Sequence, residues 1–342
     1  MSRLQEKINS DQVYFIAEMS ANHANDLDIA LKIVEEAAKA GADCLKIQTY
    51  TADSLTLDCD ADCFMIKGGL WDGQRLYDLY SDASMPWEWH EPIKKKCDEE
   101  GLDFLSTPFD EAAVDLLVEM GCEALKIASF ELTDLPLLKY AAAKGKTMIM
   151  STGMASIEDI QDAVDAVKST GNNDIVLLRC CSEYPADPKD MNLASIPDMQ
   201  NRFGVQVGFS DHSMGYRADV VAAVLGARVI EKHFCLSHEI KTADSEFSMD
   251  PDEYGAMVNA VNDAMAAMGV PCYTPSEKEA KSLVFRRSIF ASADIKKGEN
   301  FTKENIRIVR PNNGAKPKYY EELLDSASDR DYRFGDPIVY GD

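Results

Sequence analysis

The sequence predicts a (β/α)8 TIM barrel over residues 1–270, followed by a small β-rich C-terminal domain. Three observations carry this expectation. Eight short apolar runs alternate with amphipathic stretches, the pattern of a parallel sheet joined by crossover helices. Each run ends on polar or ionisable residues, and a barrel of this kind places its reacting groups at the C-terminal ends of its strands. The eight units together span roughly the 250 residues typical of the fold, after which the sequence changes texture.

Taken in order, YFIAEMS ends near Glu18, CLKIQT carries Lys46 and Gln48, and DFLSTPF carries Ser106 and Thr107. ALKIAS carries Lys126 and Ser129, TMIMST carries Ser151 and Thr152, and DIVLLRC runs to Cys180 and Ser182. QVGFSDH ends on Ser210, Asp211 and His212, and RVIEKHF carries Glu231 and His233. Between them, LDIALKIVEEAAKAG, EAAVDLLVEMG and LPLLKYAAAKG have apolar residues at helical spacing and stop at Gly41, Gly121 and Gly145. SIEDIQDAVDAVKSTG opens on Ser156 with acids in its first turn, a helix cap with favourable dipole placement.

One connection is long. From Tyr50 to Trp87 the chain far exceeds the roughly 2–6 residues of an ordinary βα loop. On the catalytic face of a barrel such a loop is expected to be a lid or a substrate-recognition element, with Lys67 and Trp71 in KGGLWDG able to meet a polar ligand. After the helix that ends at Gly269, residues 271–284 read as a polar linker. Residues 285–342, with RRSIFASADIKKGENFTKENIRIVRPNNG, read as short strands and tight turns.

Composition narrows the function. The chain has 342 residues and a formal net charge of −24, which argues against nucleic-acid or anionic-membrane partners because phosphate binding needs a positive footprint. A small anionic substrate stays open, since a few buried lysines set a local field of opposite sign. No apolar run reaches the roughly 18 residues of a membrane span, and the first dozen residues lack a signal-peptide core. Nine scattered cysteines without CxxC spacing suit free thiols in a reducing compartment. A cytoplasmic protein is expected, with Cys180 and Cys181 as small buried hydrophobes.

Two of only five histidines, His212 and His233, fall at the ends of adjacent predicted strands. Neighbouring strands lie about 5 Å apart, so both imidazoles can share one divalent metal ion. Glu231 lies two residues before His233, on the same strand face, and can support it. Lys46 and Lys126 each sit inside an apolar strand, where an ammonium is costly without a partner. Facing the mouth, they would clamp an anion with hydroxyls of Ser129, Ser151 and Ser210. A Schiff base on one lysine is the rival chemistry. Glu18 would hold sugar hydroxyls, move a proton, or pair with a lysine.

IAEMSANH, LKIQTY, STPFD, KIASFE, STGMAS, GFSDH and EKHF, in this order, resemble the sialic acid synthase family, which condenses phosphoenolpyruvate with an N-acylated amino sugar. The tail resembles the antifreeze-like (SAF) domain that follows the barrel in that family. KGGLWDG, YDLY and PWEWH are most similar to the pseudaminic acid branch, whose sugar is 2,4-diacetamido-2,4,6-trideoxy-L-altrose. The resemblance implies His212 and His233 as ligands of a divalent cation, manganese first, with magnesium or cobalt as alternatives. It implies Lys46, Lys126, Ser129, Ser151 and Ser210, with Thr107, as contacts of phosphoenolpyruvate. It implies Glu18, Gln48, Glu131, Tyr184 and Asp244 around the sugar. It implies Arg310 as an arginine that one subunit places in its partner's barrel, hence a domain-swapped homodimer. Two departures stand out: KTAD, which ends on Asp244, occupies the place of GGPD before the serine segment, and Ser182 in RCCSEYP stands where an asparagine is frequent. Two other classes remain open, a Schiff-base barrel aldolase or lyase and a non-enzymatic binding protein that works through its tail.

Overall fold

A computed structural model describes residues 2–10, 12–68, 72–324 and 326–341. Eight apolar runs form parallel strands: β1 Tyr14–Glu18, β2 Cys44–Thr49, β3 Asp103–Pro108, β4 Ala124–Ile127, β5 Thr147–Ser151, β6 Ile175–Cys180, β7 Gln206–Asp211 and β8 Val229–His233. They pair in the order β3-β2-β1-β8-β7-β6-β5-β4. The two ends of that order, β3 and β4, lie side by side and close the cylinder. Nearly every strand residue is buried, because helices cover the outside and side chains fill the inside.

Strand periodicity sorts those side chains into two layers. Phe15, Ala17, Leu45, Ile47, Leu125, Met148, Leu177 and Phe209 point outward into the large core shared with the helices. Tyr14, Ile16, Cys44, Leu105, Ala124, Ile149, Val176, Leu178 and Val229 point inward and fill the lower barrel. The N-terminal helix Arg3–Ile8 adds Leu4 and Ile8 to that inner cluster and plugs the bottom. Gly208 marks the tightest place in the wall. A Cβ there would lie 2.5 Å from the Val229 carbonyl oxygen and 2.6 Å from Leu178 Cδ2. With apolar residues below, the inward positions one step further along each strand are left to polar groups.

The helices start where their capping residues stand. Asp26, Asp110 and Asp134 accept first-turn amides, and Ser156 forms a reciprocal capping box with Asp159. The long connection after β2 holds helices Ala52–Leu55 and Leu76–Ala83, knitted by Arg75 to Asp58, Asp60 and Asp78. Lys67 is exposed and pairs with Asp62. Trp71 lies outside the described residues.

The chain divides into two compact units, residues 1–269 and 270–342. Within the second, residues predicted as linker form the helical turns Glu277–Ala280 and Lys281–Phe285. Strands β9 (Ser288–Ala291) and β10 (Ile306–Val309) pair antiparallel, and Ile289, Ile295, Phe301, Ile306, Tyr332 and Ile338 form a separate small core. The nine cysteines are free thiols. Among the described residues no helix is long and apolar enough to cross a membrane.

Two buried histidines outside the barrel mouth report on the tightness of this packing. His23 Nδ1 accepts the Asn25 amide at 3.1 Å, and His90 Nε2 bonds Thr49 Oγ1 at 2.7 Å, while the other nitrogen of each ring is buried without a partner. Burial lowers both from the usual histidine range to about 4. Their folded values lie below the unfolded value of about 6.5. Each therefore contributes on the order of 3 kcal/mol that is fully present above pH 6.5 and lost as pH falls toward 4. The expected observation, by NMR of the imidazole carbons, is that neither ring titrates between pH 8 and 5.5. A midpoint near 6.5 for either would show that water reaches it.

Candidate active site at the barrel mouth

The alternation that packs the barrel floor carries upward. Glu18, Lys46, Gln48, Thr107, Lys126, Ser151, Cys180, Glu231 and His233 each lie an even number of positions from an inward apolar residue of the same strand, and Ser210 lies two positions after Gly208, which stands in register with inward Leu178. They meet at the C-terminal end of the cylinder, where register sets Glu18 beside both Lys46 and His233, and Ser210 beside Glu231.

At the centre is an ionic network sealed from solvent. Lys46 Nζ lies 2.9 Å from Glu18 Oε2 and 3.3 Å from Glu231 Oε1, and Lys126 Nζ lies 3.7 Å from the same Glu231 oxygen. Ser210 donates to Glu231 at 3.0 Å, Lys126 donates to Ser151 Oγ at 2.7 Å, and Thr107 Oγ1 accepts from Lys46 at 3.4 Å. The two carboxyls are driven apart. Burial opposes the charge of Glu231, but Lys126, Lys46 and Ser210 outweigh it and hold the group down to about 2. Burial dominates at Glu18 and, with Glu231 nearby, lifts it to about 7 despite Lys46. Burial also holds Lys126 below its ordinary range, whereas Glu18 and Glu231 overcome burial and raise Lys46.

Beside the lysines is a cradle of hydroxyls. Ser129 Oγ accepts the Gly153 amide at 3.2 Å. A Cβ on Gly153 would fall 2.1 Å from Ser182 Oγ and 2.9 Å from Ser129 Oγ, so the cradle exists because this position has no side chain. Ser182, standing in place of the frequent asparagine, thus still lines it.

His212 and His233 face each other with ring centroids 5.4 Å apart. His212 Nδ1 is 2.9 Å from the Cys181 carbonyl, to which it donates, and although burial opposes its charge, Cys180 and that carbonyl outweigh burial and raise the ring above the usual histidine range. His233 Nδ1 is buried without a partner, and burial, then His212 and the lysines, hold the ring neutral. Two facing imidazoles, one oriented by a carbonyl and one with an orphaned nitrogen, fit a divalent metal ion. Tyr184 packs on both rings, at 4.3 Å from His212 and 6.4 Å from His233. A different group, His238, Asp250 and Glu253, also brings potential ligands within 4.8 Å of one another, but a helix-capping box and a His–Glu ion pair engage it.

Gln48 donates to Glu18 and Ser20, and Asp244 accepts the Ala21 amide, so the acidic group expected around a sugar hangs over the same opening. Glu131 has a buried carboxyl oxygen without a partner, and burial pushes the group up to about 7. Arg310 is exposed and belongs to the second unit. Sequence reasoning missed two residues here. Gly153 was legible only as the glycine after a Ser-Thr strand end. Cys180 lies 3.8 Å from His212 Nδ1 and 3.9 Å from Ser182 Oγ, and the His212 contact overcomes burial to bring the thiol down to about 7.

Residues 33–273 match the NeuB family and residues 286–342 match the SAF domain. Pseudaminic acid synthase of Campylobacter jejuni is 48% identical over 335 residues, 98% of each chain. Pseudaminic acid synthase of Helicobacter pylori is 40% identical over 96% of each chain. The crystal structure of spore coat polysaccharide biosynthesis protein spsE from Bacillus subtilis is 36% identical, covers 96% of this chain and 94% of its own, and superposes with a TM-score of 0.66. The chain belongs to the NeuB family.

If the glycine makes the cradle, Gly153→Ala should leave the fold intact by circular dichroism and weaken binding of phosphoenolpyruvate roughly tenfold, the equivalent of one or two lost hydrogen bonds. Calorimetric titration measures it. Wild-type affinity in the folded variant would place the anion elsewhere.

Proposed function

We propose that this NeuB-family chain is a pseudaminic acid synthase, condensing phosphoenolpyruvate with 2,4-diacetamido-2,4,6-trideoxy-L-altrose to give a nine-carbon nonulosonic acid and phosphate. The observation that carries the reading is the pair of buried ammonium groups held by one ionised carboxylate beside a hydroxyl cradle, at the foot of two histidines. The full-length similarity to proteins named for that product supports the choice of sugar.

Phosphoenolpyruvate brings a phosphate and a carboxylate, and Lys46 and Lys126 offer them two desolvated cations, with Ser129, Ser151, Ser182 and Ser210 as donors. Binding the two reactants against a fixed wall makes the carbon–carbon step largely a matter of proximity. His212 and His233 would hold a divalent cation, manganese first, which when bound supplies Lewis-acid polarisation of the sugar aldehyde. C3 of phosphoenolpyruvate bonds to the aldehyde carbon, and the aldehyde oxygen takes a proton. Water then adds at C2, and the bond from C2 to the phosphate oxygen breaks. Glu18, titrating near neutrality, is suited to hold or pass that proton, while Glu231 stays ionised to keep the lysines in place. Gln48, Glu131, Tyr184 and Asp244 would contact the sugar. A net charge of −24 does not hinder this, since the acting field is local.

The mouth needs a cover that excludes water, and a second domain of about 60 residues gains stability by packing on something. We assign that cover to the partner subunit's small domain, with Arg310 reaching the sugar in a domain-swapped homodimer. Residues 270–342 carry 13 basic and 12 acidic side chains, so the net negative charge lies in the barrel and the small domain can approach without like-charge repulsion. Nine free thiols suit a cytoplasmic setting.

Phosphate release should be fastest with the diacetamido trideoxy-altrose, vanish on chelation and return with manganese. His233→Ala should lose metal and activity together while staying folded. Equal turnover of N-acetylmannosamine, or preference for the manno-configured diacetamido sugar, would assign the N-acetylneuraminate or the legionaminic branch instead. A borohydride-trapped pyruvate adduct on Lys46 or Lys126, with turnover indifferent to chelation, would make it a Schiff-base lyase.

The swap has its own test. Inactive Lys126→Ala and Arg310→Ala chains, mixed and allowed to exchange, should recover activity in about a quarter of sites, because one site of each mixed dimer receives both lesions and the other receives none. If each domain caps its own barrel, no activity returns.

A further inference from the structure

We infer that Lys232, buried behind the barrel wall, is a positioning residue that sets the spacing of His212 and His233; this rests on reading those histidines as a metal pair. Lys232 lies between Glu231 and His233 on β8, so its side chain takes the opposite face from theirs, away from the mouth. Its side chain is fully buried. It therefore touches no reacting atom.

What it touches is the chain on both sides of His212. The ammonium donates to Asp211 Oδ2 at 2.5 Å, to the Ser213 carbonyl at 2.6 Å and to the Gly215 carbonyl at 3.0 Å. Three donors meet three acceptors, and an ammonium is the side-chain group that presents three donors at one point. Asp211 tightens the same turn, accepting the Ser213 amide at 2.8 Å and the Ser213 hydroxyl at 3.0 Å. Residues 211–215 are thus wound around one buried cation.

The location explains the need. β7 ends at Asp211, so His212 lies just past the strand. Its own further holds are the Cys181 carbonyl and the Cys180 thiol on Nδ1, the Tyr184 ring against its face and the Ala186 amide on its backbone oxygen. His233, by contrast, is the last residue of β8 and is fixed in register opposite Glu18. Lys232 is peptide-bonded to His233 and stands in register opposite Asp211. One side chain therefore ties the histidine just past the end of β7 to the one that ends β8, across the wall and out of solvent. Removing the cage should let the segment carrying His212 relax and misplace one of the two imidazoles. Lost support of this kind typically weakens metal binding 10–100-fold.

The probe is cobalt(II), read by its visible absorption and by calorimetric affinity, with folding followed by circular dichroism and thermal melting. The leading variant is the pair Asp211→Asn and Lys232→Met, which removes both charges of the close pair; the buried Asp219 carboxyl, 4.0 Å from the ammonium, is held well above the usual carboxylate range by burial and then by Asp211, and so adds no unpaired charge. It should fold, bind cobalt roughly 10–100-fold more weakly than wild type, and show a shifted absorption band. Asp211→Asn alone keeps the size of the side chain and an acceptor for the Ser213 amide, and should move both readouts in the same direction by a smaller factor. It decides the matter should the double variant not fold. A folded variant with wild-type cobalt affinity and spectrum would overturn the inference, leaving Lys232 to the fold alone. Wild-type protein that binds no cobalt, or binds it unchanged after His233→Ala, would overturn the metal reading itself and the inference with it.

Discussion

The site depends on one carboxylate. Glu231 sits between Lys46 and Lys126, and without it two ammonium groups would face each other in a medium where charges are poorly screened. Such an arrangement stands only when each ion has a counter-ion and further hydrogen bonds, which Ser210, Ser151, Thr107 and Glu18 supply. The consequence is functional as well as structural. A carboxylate held so firmly ionised leaves the second carboxyl, Glu18, as the group that titrates near neutrality. One geometry thus provides a fixed positive floor for an anion and a neighbouring group able to exchange a proton.

Strand parity is the constraint that distributes these roles. Lys46 in LKIQ, Lys126 in LKIA and Lys232 in EKHF look alike in the sequence, each a lysine within an apolar run. The two-residue period places the first two inside the barrel and the third outside, where the same ammonium chemistry serves backbone carbonyls instead of a substrate. The inference that Glu231 and His233 share a face already contained the position of Lys232, since the residue between them must point the other way. Asp211, between Ser210 and His212, obeys the same rule on the neighbouring strand.

What was legible in the sequence was what local patterning controls. Buried parallel strands read as apolar runs, their polar ends as a site, and Ser156 as a cap, because each is decided within a few residues. Gly153 was not legible as a cradle, since its necessity comes from Ser129 and Ser182 on other strand ends. Cys180 read as a small hydrophobe because nothing nearby in sequence shows the imidazole of His212 beside it. Loops yield to sequence reasoning last because their partners are chosen by the fold.

The loop after β8 shows how a departure from a motif can still be accommodated. KTAD puts Thr242 where its hydroxyl donates to Asn22 Oδ1 at 2.6 Å. The Asn22 amide in turn donates to the Phe234 carbonyl at 3.0 Å and to Ser248 Oγ at 2.8 Å, and Ser248 bonds back to the Asp244 carbonyl. A single buried asparagine from the segment after β1 therefore clasps both ends of the loop after β8. Asp244 is carried on that clasped loop, and its own carboxylate accepts the amide of Ala21 from the same β1 segment. The loop needs no glycine pair to reach this position, because its path is fixed by hydrogen bonds across the seam between the first and last strands. Glu18 and Asp244, two of the residues expected around the sugar, thus rest on the junction where the barrel's beginning and end meet.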